Sequence, residues 1–133
     1  MLDRELIALA EEARVMAYAP YSGFAVGAAL LGKDGSVFVG CNVENASYSA
    51  TLCAERVAFG AAIAAGCSAF EKIAIVGGNA KERPSRVCAP CGVCRQVMSE
   101  FCKPDFEVLL WNGKEICVHR LDSLLPSAFE LES

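Results

Sequence analysis

The chain is 133 residues long, 54% hydrophobic, and balances 12 basic against 16 acidic side chains for a formal charge of −4. That length suits a single domain spanning 1–133 that buries its own core. The absence of any basic run argues against nucleic-acid binding, since neutralising phosphates takes clustered Lys and Arg, and no stretch reaches the roughly 18 apolar residues of a membrane span.

The opening segment MLDRELIALAEEARVMA interleaves charged and apolar residues. It does not read as a signal peptide, and a cytoplasmic protein is expected. Leu6, Leu9, Ala10, Ala13, Met16 and Ala17 share one stripe at helical spacing, which predicts a first helix ending before Pro20. FAVGAALLGKDGSVFVGCNVEN reads as strand, Gly-Lys-Asp-Gly turn and strand. Residues 51–65 are Ala-rich and predict a helix capped by Gly66. Residues 72–76 predict a short apolar strand, and 79–90, with Pro84, Ser85 and Pro90, a loop. A second short helix is expected from about Cys91 through Phe101, with Cys94, Val97, Met98 and Phe101 facing inward. Residues 106–111 and 114–118 flank Asn112-Gly113, a strong hairpin signal. Helix alternating with strand, plus hairpins at both ends, predicts an α/β domain with a mixed sheet.

Eight cysteines stand at positions 41, 53, 67, 88, 91, 94, 102 and 117, beside a single histidine, His119. Metal ligation or buried thiols explain them better than four disulfides in a chain with no export signal. With one histidine, any metal site must be dominated by thiolates. Cys53-Ala54-Glu55-Arg56 and Pro90-Cys91-Gly92-Val93-Cys94-Arg95-Gln96 both lie at predicted helix starts. Cys91 and Cys94, three residues apart on a first turn, aim their sulfurs the same way. Cys53 completes three protein ligands to Zn²⁺, with one coordination position open. Helix N-termini favour thiolates. Three of them on a divalent cation leave a net negative charge, and Arg56 is the candidate cation to offset it. Glu55 is suited to general acid/base work rather than ligation, the arrangement of zinc deaminases.

Other readings of the same residues stay open at this point. A Cys-x-x-Cys pair alone is as consistent with a redox motif. Cys88 extends the run to Cys88-x-x-Cys91-x-x-Cys94 and leaves open which pair binds metal. A closed four-thiolate zinc module or an iron–sulfur protein using Cys53, Cys88, Cys91 and Cys94 are the non-enzyme alternatives. Cys41, Cys67, Cys88, Cys102 and Cys117 read as core thiols, and His119 as structural or exposed. By themselves, Asn42 and Glu44 read as turn formers, Phe24 as core and Phe129 as a docking residue.

Taken together, the two cysteine segments resemble the short, homotetrameric type of cytidine deaminase. Pro20-Tyr21-Ser22-Gly23-Phe24, Val26-Gly27-Ala28-Ala29-Leu30, Gly40-Cys41-Asn42-Val43-Glu44-Asn45-Ala46-Ser47-Tyr48 and Leu124-Leu125-Pro126-Ser127-Ala128-Phe129 extend the likeness across nearly the whole chain. The resemblance implies a three-layer α/β/α fold around a five-stranded mixed sheet. It implies hydrolytic deamination of cytidine and 2′-deoxycytidine, a nucleoside substrate, and a homotetramer whose subunits share active sites. It also implies that Asn42 and Glu44 hydrogen-bond the ribose, that Phe24 walls the pyrimidine pocket and that the Ala54 backbone contacts the base. Ala46, Tyr48 and Phe129 would reach a neighbouring subunit's site. A deaminase of another cytosine-bearing compound, such as blasticidin S, is the alternative within the same chemistry.

Overall fold

In the computed structural model, which describes residues 1–131, the chain forms α1 (Asp3–Arg14), β1 (Phe24–Gly32), β2 (Val37–Cys41), a 3₁₀ turn at Tyr48–Ala50, α2 (Ala54–Ala64), β3 (Phe70–Asn79), α3 (Gly92–Phe101), β4 (Glu107–Trp111), β5 (Ile116–Arg120) and α4 (Leu121–Leu124). One five-stranded sheet runs in the order β2-β1-β3-β4-β5. β3 and β4 are parallel, joined by the crossover through α3, and the other neighbours are antiparallel. β1 is paired along both edges, and its apolar run, buried from Ala25 onward, is what a strand covered on both faces requires.

Because side chains alternate across a strand, the sheet feeds two separate cores. Ala28, Leu30, Ile73, Ile75, Val108 and Leu110 pack against Ala54, Ala58, Phe59 and Ala62 of α2 and Met98 of α3. Ala29, Leu31, Ala74, Val76 and Leu109 pack against Leu6, Ile7 and Ala10 of α1 on the opposite face. The result is the expected three-layer α/β/α sandwich. Two glycines set how closely the layers approach. A side-chain carbon at Gly27 would lie 1.9 Å from the Ala10 carbonyl oxygen, and one at Gly40 would lie 2.4 Å from the Ala54 carbonyl oxygen. Only glycine admits α1 onto β1 and the first turn of α2 onto β2.

Several expectations need correction. The buried face of α1 is Leu6, Ile7, Ala10 and Arg14, whereas Met16 lies beyond the helix and is 77% exposed. Arg14 is buried because its guanidinium donates to the carbonyls of Ala25, Asn79 and Glu82, joining α1 to β1 and to the loop after β3. α2 begins at Ala54 rather than 51. Gly66 does close it: with φ +86° it donates to Ile63, and Cys67 donates to Ala62, the paired bonds of a Schellman motif. β3 extends from 70 to 79, beyond the short strand expected at 72–76. Phe101, expected to face inward, is exposed, although its ring stacks on Phe59. The Asn112-Gly113 turn spans four residues, since Trp111 pairs with Ile116. Asn112 Oδ1 accepts from the Lys114 and Glu115 amides, and β5 therefore starts at 116 rather than 114.

The topology also decides where a site can form. β2 and β3 both run antiparallel to β1, so their C-terminal ends meet at the edge where β1 begins. Phe24, Asn42, the start of α2 and the loop into α3 are all delivered to that one edge.

Candidate metal centre and substrate surface

Cys53 is the N-cap of α2 and Cys91 the N-cap of α3, both in extended backbone conformation. Neither side chain caps its own helix, so both sulfurs remain free to face each other. Cys94 stands in the first turn of α3 and is buried. The Cys53 and Cys91 sulfurs are 3.9 Å apart, and all three sulfurs lie within 4.8 Å of one another. Cys88 is not part of that cluster. It packs on the α2/α3 core with its sulfur against Gly77, and burial together with the charges of Glu55, Cys53 and Cys91 pushes its thiol up to about 11.

The electrostatics of the trio follow from its surroundings. Cys53 is pushed down to about 5, first because the Cys94 thiol donates to it, then because of Arg56 and Cys91. Cys94 is raised in return by that same bond and by burial. Arg56 Nη2 reaches the Cys53 sulfur at 3.4 Å and the Thr51 carbonyl at 3.3 Å. Among the described residues its buried Nε has no hydrogen-bond partner, a cation held beside sulfur. Glu55, on the first turn of α2, is only 5% exposed, and burial raises its pKa above the ordinary carboxylate range. The negative charge at Cys53 adds to that rise. Three soft sulfurs at two positively polarised helix N-termini, with a guanidinium alongside, form a donor set that fits zinc.

The residues expected to meet substrate lie around this edge. Asn42 is buried; its Nδ2 donates to the Phe24 carbonyl and its Oδ1 accepts from the Val26 amide, both at 2.8 Å. Its carboxamide thus ties the start of β1 to the end of β2. Glu44 accepts from the Tyr21 amide and from both the amide and hydroxyl of Ser22. The Ser22 hydroxyl is the main reason its carboxyl lies below the usual range. The same hydroxyl accepts from the Phe24 amide, linking the two residues although they border different hollows. Glu44 and Tyr48 line one of about 220 Å³ with Tyr21, Ser22, Asn45 and Thr51. Phe24 lines another of about 490 Å³ with Asn79, Arg83 and Arg86. A bridge between Val43 and Leu52 closes the 44–51 loop immediately before Cys53. Ala54 is fully buried under β2, whereas Ala46, Tyr48 and Phe129 project outward, the last two at 78% and 65% exposure.

The part Ser22 plays in holding Glu44 has no signal in the sequence, although Ser22 lies within the Pro20–Phe24 motif. Its partner is a carboxylate 22 residues further on, a pairing that spacing along the chain does not reveal.

Comparison with known proteins agrees with this geometry. Residues 1–110 match the family model described as the cytidine and deoxycytidylate deaminase zinc-binding region. A cytidine deaminase from Sporosarcina psychrophila is 47% identical over 96% of this chain and 91% of its own. One from Halalkalibacterium halodurans is 48% identical over 98% of this chain and 97% of its own. The crystal structure of cytidine deaminase from Burkholderia pseudomallei superposes with a TM-score of 0.88 at 51% identity, covering 97% of this chain and all of that one. By motif, fold and relatedness alike, the chain belongs to the zinc-binding cytidine and deoxycytidylate deaminase family.

Proposed function

We propose that the chain, as one domain over 1–133, hydrolyses cytidine and 2′-deoxycytidine to uridine and 2′-deoxyuridine with release of ammonia. The observation that carries this reading is the trio of Cys53, Cys91 and Cys94 sulfurs beside the buried carboxyl of Glu55. Cys53, Cys91 and Cys94 would hold the zinc, which when bound supplies Lewis acidity at the coordination position the protein leaves open. Arg56 offsets the surplus negative charge of three thiolates. Glu55 carries the protons: its carboxylate takes one from the attacking water and gives it to the pyrimidine ring nitrogen N3, then takes a second from the hydroxyl now on C4 and gives it to the exocyclic amine, which leaves as ammonia while the C4 carbonyl forms. Burial suits it to that cycle, since an acid–base group works best with a pKa near the operating pH.

Phe24 walls the pyrimidine and the Ala54 backbone contacts the base, while Asn42 and Glu44 address the ribose hydroxyls. Glu44, fixed by three donors from Tyr21 and Ser22, is a pre-oriented acceptor. A site of that kind rejects ligands lacking the hydroxyl, so free cytosine is a poor substrate.

Ala46, Tyr48 and Phe129 are assigned to a neighbouring subunit's site within a homotetramer. Their outward projection supports this, as does the largely apolar surface of Gly60, Ile63, Val97 and Phe101 along α2 and α3. Eight unpaired cysteines fit the reducing cytoplasm; among the described residues no helix is long and apolar enough to cross a membrane.

The deciding assay follows the ultraviolet change on deamination, with and without a chelator. Cytidine turnover that vanishes on zinc removal and returns on its addition is expected. Inert cytidine alongside turnover of blasticidin S overturns the substrate assignment. Activity indifferent to zinc removal overturns the metal assignment.

A further inference from the structure

The metal-ligand turn of α3 is held by a side chain that the proposed chemistry does not use. Arg95 Nε donates to the Pro90 carbonyl and Nη1 to the Leu124 carbonyl, each at 2.7 Å. Pro90 immediately precedes Cys91 and is among the fully buried side chains. Its carbonyl belongs to the peptide unit that enters the Cys91 N-cap. The Arg95 amide also donates to the Cys91 carbonyl at 2.9 Å. Arg95 therefore grips both sides of the ligand residue, through its side chain before it and through its backbone after it. Its second prong rests on the last residue of α4, where free helix carbonyls attract cations.

We propose that Arg95 is a positioning residue of the metal centre, fixing the Pro90–Cys91 peptide against the end of α4 so that the Cys91 sulfur is held ready for its ligand. This inference rests on the reading of Cys53, Cys91 and Cys94 as zinc ligands. The planar fork is essential to the role, because two acceptors on separate segments need two donors in a fixed relation. A lysine keeps the charge and loses the fork. The link also runs the other way: Leu124 lies just before the C-terminal segment, and the neighbouring Gln96 Nε2 donates to the Phe129 carbonyl at 3.1 Å. The turn that carries two ligands thus also anchors residues 124–129. Loosening it should loosen both.

The test uses the zinc-loaded enzyme and follows metal release to an excess of the chromogenic chelator 4-(2-pyridylazo)resorcinol. Arg95→Gln should release zinc faster, by about 10–100-fold if the loss of metal affinity that follows removal of ligand-orienting partners falls on the off-rate. Arg95→Lys should also release it faster. Gln96→Ala, which leaves Pro90 held, should release it at the wild-type rate. Hydrogen exchange over residues 124–129 should quicken in zinc-loaded Arg95→Gln. Wild-type release from both Arg95 variants overturns the proposal, and so does a lowered thermal midpoint without faster release. If Arg95→Gln does not accumulate folded, the Arg95→Lys release rate decides alone. Cys91→Ser separates the two levels: full zinc in that variant sinks the ligand assignment itself, whereas its loss beside wild-type release from the Arg95 variants sinks only the role of Arg95.

Discussion

Glu55 and Arg56 are sequence neighbours with opposite assignments, and their surroundings divide the work. Burial penalises the charged form of Glu55, so the carboxyl retains a proton at higher pH than an exposed glutamate would. Glu55→Gln keeps the shape of the side chain and removes its proton transfer. It should retain zinc and fold normally while losing at least about 10²–10⁴-fold in kcat, as measured by deamination rate and elemental analysis on one sample. Arg56 presents its guanidinium to the Cys53 sulfur, and Arg56→Gln should bind zinc more weakly in a chelator competition. The sequence singles out both residues by their local spacing from Cys53, and the structure places Arg56 against the Cys53 sulfur and buries Glu55 on the same turn. Asn42 was less legible: that its carboxamide binds the backbone on either side of Ala25 depends on strand register. The seating of Cys88 against Gly77, outside the sulfur cluster, required the fold as well.

Among the elements, those with strong periodicity or terminal signals were read correctly in kind, and the errors fell at their ends. The inward stripe assigned to α1 ran on to Met16 because hydrophobicity alone does not show where a helix stops. β3 exceeded its apolar stretch because Gly77, Gly78 and Asn79 still pair with β1, and pairing is a property of the neighbour. α4, only four residues long, carries too little pattern to be read at all. The glycine at position 40 gave no signal beyond its identity, yet it sets how closely α2, with Cys53 at its N-cap, approaches the sheet. Gly40→Ala would force a carbon against the Ala54 carbonyl and the Ala58 amide. Overpacking of this kind costs about 1–3 kcal/mol, and backbone atoms have little room to yield. The variant should have a lower thermal midpoint and a lower zinc content together. A normal midpoint with normal zinc would mean that α2 can shift without consequence.

The molecule as a whole reads as an α/β sandwich from its sequence because alternation along each strand feeds two cores of different composition. Burial of the remaining thiols gives the molecule a pH dependence of its own. Cys102, at the end of α3, is pushed up to about 12 by burial, above the value of about 8.5 for a free thiol. The folded state therefore keeps a proton that the unfolded chain loses. The associated stability is complete below about pH 8.5 and declines as pH rises toward 12. Denaturant titrations across that window should show falling stability, and Cys102→Ala should flatten the fall. The sheet order has a consequence for biosynthesis. β1 can pair with β2 on one edge and with β3 on the other as soon as residue 79 has emerged, but β4, which covers the far edge of β3, starts only at residue 107. At roughly 5–20 residues per second of translation, a half-made chain displays that bare strand edge for a few seconds, just as the segment bearing Cys91 and Cys94 leaves the ribosome. Ribosomal pausing between those positions would prolong the interval in which nascent chains can stick to one another.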